Sequence, residues 1–186
     1  MSRRLITVLY EDRHAKGEKN YGPHMLLLAC VADRTGGSRY ALRDQVASIA
    51  LSGDGNVKRR LRDDGASLGA TGPLVAMFDN DKVRSRYPVR TGACKRELLD
   101  AVQAEAKGSP VIVLLEQNME DLLAACCAAL KRATLSAKPK PMQRDSILQA
   151  AAADGQGAAR AAILAAMPSF KRLVDVVHAL LTGDAG

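Results

Sequence analysis

Aromatic residues make up only 3% of this 186-residue chain, and tryptophan is absent. That scarcity excludes a platform of exposed rings for stacking single-stranded bases and predicts an aliphatic core. Cysteine occurs at positions 30, 94, 126 and 127, with no CxxC pair. The histidines at 14, 24 and 178 do not supply zinc-like spacing. Cys30, Cys126 and Cys127 sit in apolar helical patterns, where a free thiol acts as a small hydrophobe, and this predicts a reducing cytoplasm. No apolar stretch approaches the ~20 residues that span a bilayer, so no membrane association is expected. The opening Met1-Ser2-Arg3-Arg4 reaches Glu11 too soon for a signal h-region. There is no GxxxxGK[ST] element, which argues against ATP hydrolysis by this chain, and no GxSxG nucleophile elbow.

What is present is positive charge and aliphatic bulk. The net charge is +7 and the hydrophobic fraction 47%. The charge favours an anionic partner, most simply nucleic acid. The length suits one domain with a real core, or one domain plus an appendage.

Apolar runs at 4–10, 73–78 and 111–115 read as buried strands, with a further short strand at 45–51. The run from Met25 to Ala32 after Pro23 reads as a buried helix. A short basic helix is expected from Val57 to Asp64, then a loop marked by Gly65, Gly69 and Gly72, and a helix over 93–106. Asn118 is a plausible N-cap for a helix carrying Met119, Leu122, Leu123, Cys126, Cys127 and Leu130. Alternating strands and helices predict a parallel or mixed sheet with helices on its faces. Residues 136–143 read as a linker. Beyond them the chain is Ala-rich and helical, and Phe170, Leu173, Val174, Val177, Leu180 and Leu181 form one stripe on a last helix that starts at Pro168.

The chemistry gathers at strand ends. The first strand runs into Glu11 and Asp12, the third into Asp79-Asn80-Asp81, and the fourth into Glu116. In a parallel sheet these ends open on one side, where open α/β folds bind ligands. If the chain stays extended past Phe78, Asp79 and Asp81 point the same way and can share a cation. Glu11, Asp79 and Asp81 are oxygen ligands of the type Mg²⁺ takes, and Glu116 or Glu120 could add a further ligand or a general base. Between Lys82 and Arg96 the charged residues are all basic (Lys82, Arg84, Arg86, Arg90, Lys95, Arg96). A cationic rim beside an acidic metal pocket suits a phosphodiester substrate. Lys58, Arg59, Arg60 and Arg62 extend the pattern. His14 and His24 lie near Glu11 in sequence, the first expected in an exposed loop and the second at a helix start.

The first strand ending in Glu11, the later strand ending in Asp79-x-Asp81 and the α/β alternation resemble the Toprim fold of topoisomerases, primases, small ribonucleases and the overcoming-lysogenization-defect nucleases. More narrowly, the chain looks like small stand-alone Toprim-like proteins of bacterial defence and mobile loci. Asn118-Met119-Glu120-Asp121-Leu122-Leu123 matches their element after the last core strand, and Lys138-Pro139 and Pro168-Ser169-Phe170 are similar to their C-terminal segments. Asp12 stands where those proteins carry Gly. The resemblance implies Glu11 as acid/base or metal ligand, Asp79 and Asp81 as metal ligands, Glu120 as an accessory acid, Mg²⁺ or Mn²⁺ as cofactor, and a separate ATPase as partner.

The reading is an α/β, Toprim-like domain over 1–135 with a mostly parallel sheet, followed by a linker and helical extension over 136–186. The expected function is metal-dependent cleavage of DNA or RNA, with Lys82, Arg84, Arg86 and Arg90 on the nucleic acid, in the setting of anti-phage defence. A homo-oligomer is compatible. Two alternatives stay open: a non-catalytic, basic nucleic-acid-binding or regulatory subunit, and an assembly protein docking through its last helix.

Overall fold

Three of the four strands are continuous apolar runs, as parallel strands covered on both faces must be. These are β1 (Ile6–Glu11), β3 (Leu74–Asp79) and β4 (Val111–Leu115). The fourth, β2 (Val46–Leu51), alternates buried and half-buried positions at its start, as an edge strand does. The computed structural model describes residues 5–11, 22–51, 53–116, 118–135 and 140–184, with the side chains of all but Asp54, Asp81, Lys82 and Pro141. The strands form one sheet in the order β2-β1-β3-β4, every pair parallel. The fold class is α/β, with helices flanking the sheet and further helices toward the C-terminus.

The chain divides into two compact units. The first comprises Met1–Arg13 and Gln45–Glu116, the second His14–Asp44 and Gln117–Gly186. The boundary expected at 135/136 adjoins residues 136–139, which lie outside the described residues.

In the first unit, helix α3 (Asp54–Thr71) carries the chain from edge strand β2 across to β3, packing on β1, β2 and β3. The short α4 (Asn80–Arg84) and α5 (Lys95–Glu105) lie between β3 and β4. Leu9, Leu74, Ala76, Phe78, Ile112 and Leu114 present one sheet face, and Val57 and Leu61 of α3 with Leu98 and Val102 of α5 cover it. The opposite-facing Val8, Tyr10, Val75, Met77 and Val113 are also buried.

Two expectations change here. The helix expected at Val57–Asp64 is far longer and runs through Gly65 and Gly69. Those glycines do not break it. They let it approach the turn before β4, because a Cβ at Gly65 would lie 2.2 Å from the Lys107 carbonyl oxygen and one at Gly69 2.7 Å from that of Gly108. The approach is sealed by Lys107 N–H donating to the Leu61 carbonyl at 3.2 Å. Nor does the backbone stay extended after Asp79, since Asn80 already begins α4. The alternation that would align Asp79 with Asp81 therefore does not apply.

The second unit is helical: α1 (Gly22–Thr35), α2 (Arg39–Leu42), α6 (Met119–Ala129), α7 (Pro141–Ala152), α8 (Gly157–Ala166) and α9 (Pro168–Thr182). The apolar α1 packs against α7 and α9, and α6 against α7 and α8. Phe170, Leu173, Val174 and Val177 of the expected stripe are buried, and α9 ends at Gly183 in the left-handed conformation. Arg160 of α8 joins α1 through a two-pronged pair with Asp33 (Nε–Oδ2 2.6 Å, Nη2–Oδ1 2.7 Å). Among the described residues, no helix is long and apolar enough to cross a membrane.

Candidate functional site

Because β1, β3 and β4 are adjacent and parallel, their C-terminal ends share one edge of the sheet. Glu11 is the last residue of β1 and Asp79 the last of β3, both half-buried. The Asp79 backbone N–H donates to Glu11 Oε2 at 3.2 Å, across 68 positions of sequence. This bond ties the first carboxylate to the strand end that carries the second. Asn80 follows directly, and its side-chain Oδ1 is buried without a hydrogen-bond partner among the described residues. A buried acceptor left unpaired is costly, and a cation or an ordered water would satisfy it. Asn80 reads in the sequence as the spacer between two acids, and only its burial singles it out.

Glu11, Asp79 and Asn80 are all hard oxygen donors. Mg²⁺ binds through one or two carboxylates and keeps several waters, so this donor chemistry fits such an ion. Among the described residues, no group of three or more His, Cys, Asp or Glu side chains is placed to hold a metal. The Asp81 side chain and residue Asp12 fall outside that description, as does His14.

The basic segment is largely tied down. Arg84 Nη1 donates to the Ala93 carbonyl at 2.7 Å. Arg90 grips Glu97 with two bonds of 2.9 and 3.2 Å. The Arg90 guanidinium, with help from the Cys94 backbone N–H, holds the Glu97 carboxyl below its ordinary range. Lys95 pairs with Glu116 at 2.5 Å, which places an ammonium beside the acid after β4. Lys58 sits 4.2 Å above the Tyr87 ring and donates to Glu105 and the Arg86 carbonyl. Arg59, Arg86 and Arg96 are exposed. The Lys82 side chain lies outside the described ones.

Glu120 occupies the first turn of α6 in the helical unit and is exposed. Its neighbourhood is explained by the helix start. Asn118 Oδ1 accepts from Asp121 N–H, and Asp121 Oδ2 accepts from Asn118 N–H, both at 3.0 Å. His24 is a buried first-turn residue of α1 in the same unit.

No protein-family model matches the chain, and no curated protein matches it. Among solved structures it is similar to the C-terminal region of the OLD protein of Xanthomonas campestris pv. campestris, at 14% identity and a TM-score of 0.31, over 95% of this chain and 98% of that one.

Proposed function

We propose that this chain is a divalent-metal-dependent nuclease whose site is the sheet edge formed by Glu11, Asp79 and Asn80. The observation that carries the reading is the hydrogen bond from Asp79 N–H to Glu11, which joins two carboxylate-bearing strand ends beside a buried amide oxygen that has no hydrogen-bond partner among the described residues. Glu11 and Asp79 would hold Mg²⁺ or Mn²⁺, with Asn80 and Asp81 as further oxygen ligands. When bound, such an ion supplies polarisation of a phosphoryl oxygen and activation of water. The residues themselves do the positioning. The bond from the Asp79 backbone N–H holds the Glu11 carboxylate at the end of β3 before substrate arrives, which spares reorganisation, and the exposed Arg59, Arg86 and Arg96 offer contacts to backbone phosphates. Placement in a bacterial defence system and an ATPase partner are proposed on the sequence resemblance, a cytoplasmic setting on the free cysteines in apolar helical patterns, and a homo-oligomeric state is compatible with both.

A second reading, a basic nucleic-acid-binding subunit without catalysis, is favoured by the helical backbone at Asp81 and by the absence of a three-acid cluster among the described residues. One assay separates the two. Cleavage of DNA and RNA is measured with Mg²⁺ or Mn²⁺ for the wild type, Asp79→Asn and Glu11→Gln, together with nucleic-acid affinity. The nuclease reading expects activity to fall about a hundredfold or more in both variants, since even outer-shell partners of a metal are worth 10–100-fold. Affinity should be kept. Salt-sensitive binding with no cleavage under either metal supports the second reading.

A further inference from the structure

The helical unit carries an open, polar pocket of about 340 Å³, bounded by α1, the turn before α2, the end of α7 and the start of α8. That volume lies within the range of small-molecule sites. Its walls include Ala29, Ala32, Ala152 and Gly155, side chains too small to fill it. Two guanidinium groups line it, and they differ in what they still have to give.

Arg160 is committed. Beyond its two bonds to Asp33, its Nη1 donates to the carbonyls of Ala151 (3.1 Å) and Ala153 (2.8 Å). Arg39 is not. Its side chain is only 13% exposed, with Nη1 donating to the Ala152 carbonyl and Nη2 to the Tyr40 hydroxyl. The Tyr40 ring lies 4.8 Å from its guanidinium carbon. Its Nε is buried and has no hydrogen-bond partner among the described residues. Asp154 Oδ1 comes within 3.8 Å of Nε, near enough for attraction and too far for a hydrogen bond, from a side chain that is 83% exposed.

The Nε hydrogen and one Nη2 hydrogen share an edge of the planar guanidinium. This is an edge that holds a carboxylate or phosphate with two parallel bonds. Nη2 has given only one of its two hydrogens to Tyr40. Ser38 lines the same cavity, and because its Oγ accepts from Tyr40 N–H at 3.2 Å, its own O–H remains a donor. A cationic ligand would find both Asp33 oxygens already held by Arg160. We propose that this cavity binds a small organic anion through a carboxylate or phosphate seated on the Nε edge of Arg39, displacing the loosely held Asp154. The proposal is independent of the nucleolytic reading.

The test follows the arginine Nε–H signals of the ¹⁵N-labelled full chain by NMR. Inorganic phosphate and acetate are titrated separately, with chloride at matched ionic strength as control. The Arg39 signal is expected to shift saturably, at about millimolar concentration, and chloride should not reproduce the shift. Saturation by phosphate alone identifies a phosphate ester as ligand, by acetate alone a carboxylate, and by both either anion. Arg39→Gln serves only to assign the signal, because Arg39 also holds the Ala152 carbonyl. Asp154→Ala carries the decision: removing an exposed competing carboxylate should tighten anion binding about threefold to fivefold. A wild-type shift that is linear or matched by chloride overturns the proposal, as does an Asp154→Ala chain that binds no tighter.

Discussion

Replacing Arg160 with methionine removes a buried ionic tie and keeps most of the apolar stem. The side chain is 7% exposed, and its partner Asp33 is 38% exposed. Breaking a buried pair costs about 3–5 kcal/mol when the remaining charge is sealed from water. Here water reaches Asp33, so about 2 kcal/mol is the appropriate share for the lost pair. Arg160 also donates to the carbonyls of Ala151 and Ala153 at the end of α7; Ala153 keeps the Gln156 N–H, whereas the fully buried Ala151 loses the Arg160 donor. One orphaned buried acceptor adds about 1 kcal/mol. The sum, about 3 kcal/mol, corresponds to a Tm lowered by about 6–12 °C for a chain of this size. Urea unfolding followed by far-UV circular dichroism measures it, with Asp33→Asn as companion. Asparagine keeps an acceptor for Arg160 and should cost about 1 kcal/mol. The double variant should fall short of the sum by about 1–2 kcal/mol, because each change removes the same interaction. A loss below about 1 kcal/mol in Arg160→Met, or strict additivity in the double variant, refutes the reasoning.

Other outcomes follow from the same structure. Gly65→Ala drives a Cβ to 2.2 Å from the Lys107 carbonyl, whereas Gly55→Ala meets nothing within 4 Å. Denaturant unfolding should show the first losing about 3 kcal/mol and the second gaining about 0.5 kcal/mol, and equal effects would contradict the close-approach account. At Asp175, burial raises the carboxyl pKa, but hydrogen bonds from Lys171 and Arg34 outweigh it and the net direction is down. A lowered folded-state pKa contributes stability above the unfolded value and loses it as pH falls through the folded one. The stability difference between wild type and Asp175→Asn should therefore shrink below about pH 4, and a difference constant with pH would count against it. Burial pushes the thiols of Cys30 and Cys126 up to about 12, Cys127 is buried, and Cys94 is exposed. A thiol reagent at neutral pH should label Cys94 alone in the native chain and all four cysteines after denaturation; native labelling of a second would refute the packing.

The strands and the apolar helices were legible because their signal is local. Leu74–Phe78 and Val111–Leu115 are continuous runs, and the α9 stripe repeats at helical spacing. Convergence of Glu11 and Asp79 was legible too, since adjacent parallel strands must end on one edge. Gly65 and Gly69 misled because their role depends on Lys107 and Gly108, some forty positions away. The alignment of Asp79 with Asp81 was conditional on an extended chain, and that condition is not met because Asn80 enters a helix. Asn80, only a spacer in the linear pattern, has a buried Oδ1 without a hydrogen-bond partner among the described residues, and burial is a tertiary property. The Asp33–Arg160 pair joins residues 127 apart, beyond any reading of spacing.

The two units are interleaved along the chain, since α1 and α2 fall between β1 and β2 yet belong with the helices after Glu116. A gene fragment ending at residue 116 would keep the sheet but strand α1 without α7 and α9, baring the apolar face of α1 that carries Met25 and Ala29, which pack with Ala152 of α7, and leaving it ready to aggregate. A fragment starting at 117 would lack α1 altogether. No single cut yields either half intact, so assigning roles to them calls for point substitutions or circular permutation in place of truncation.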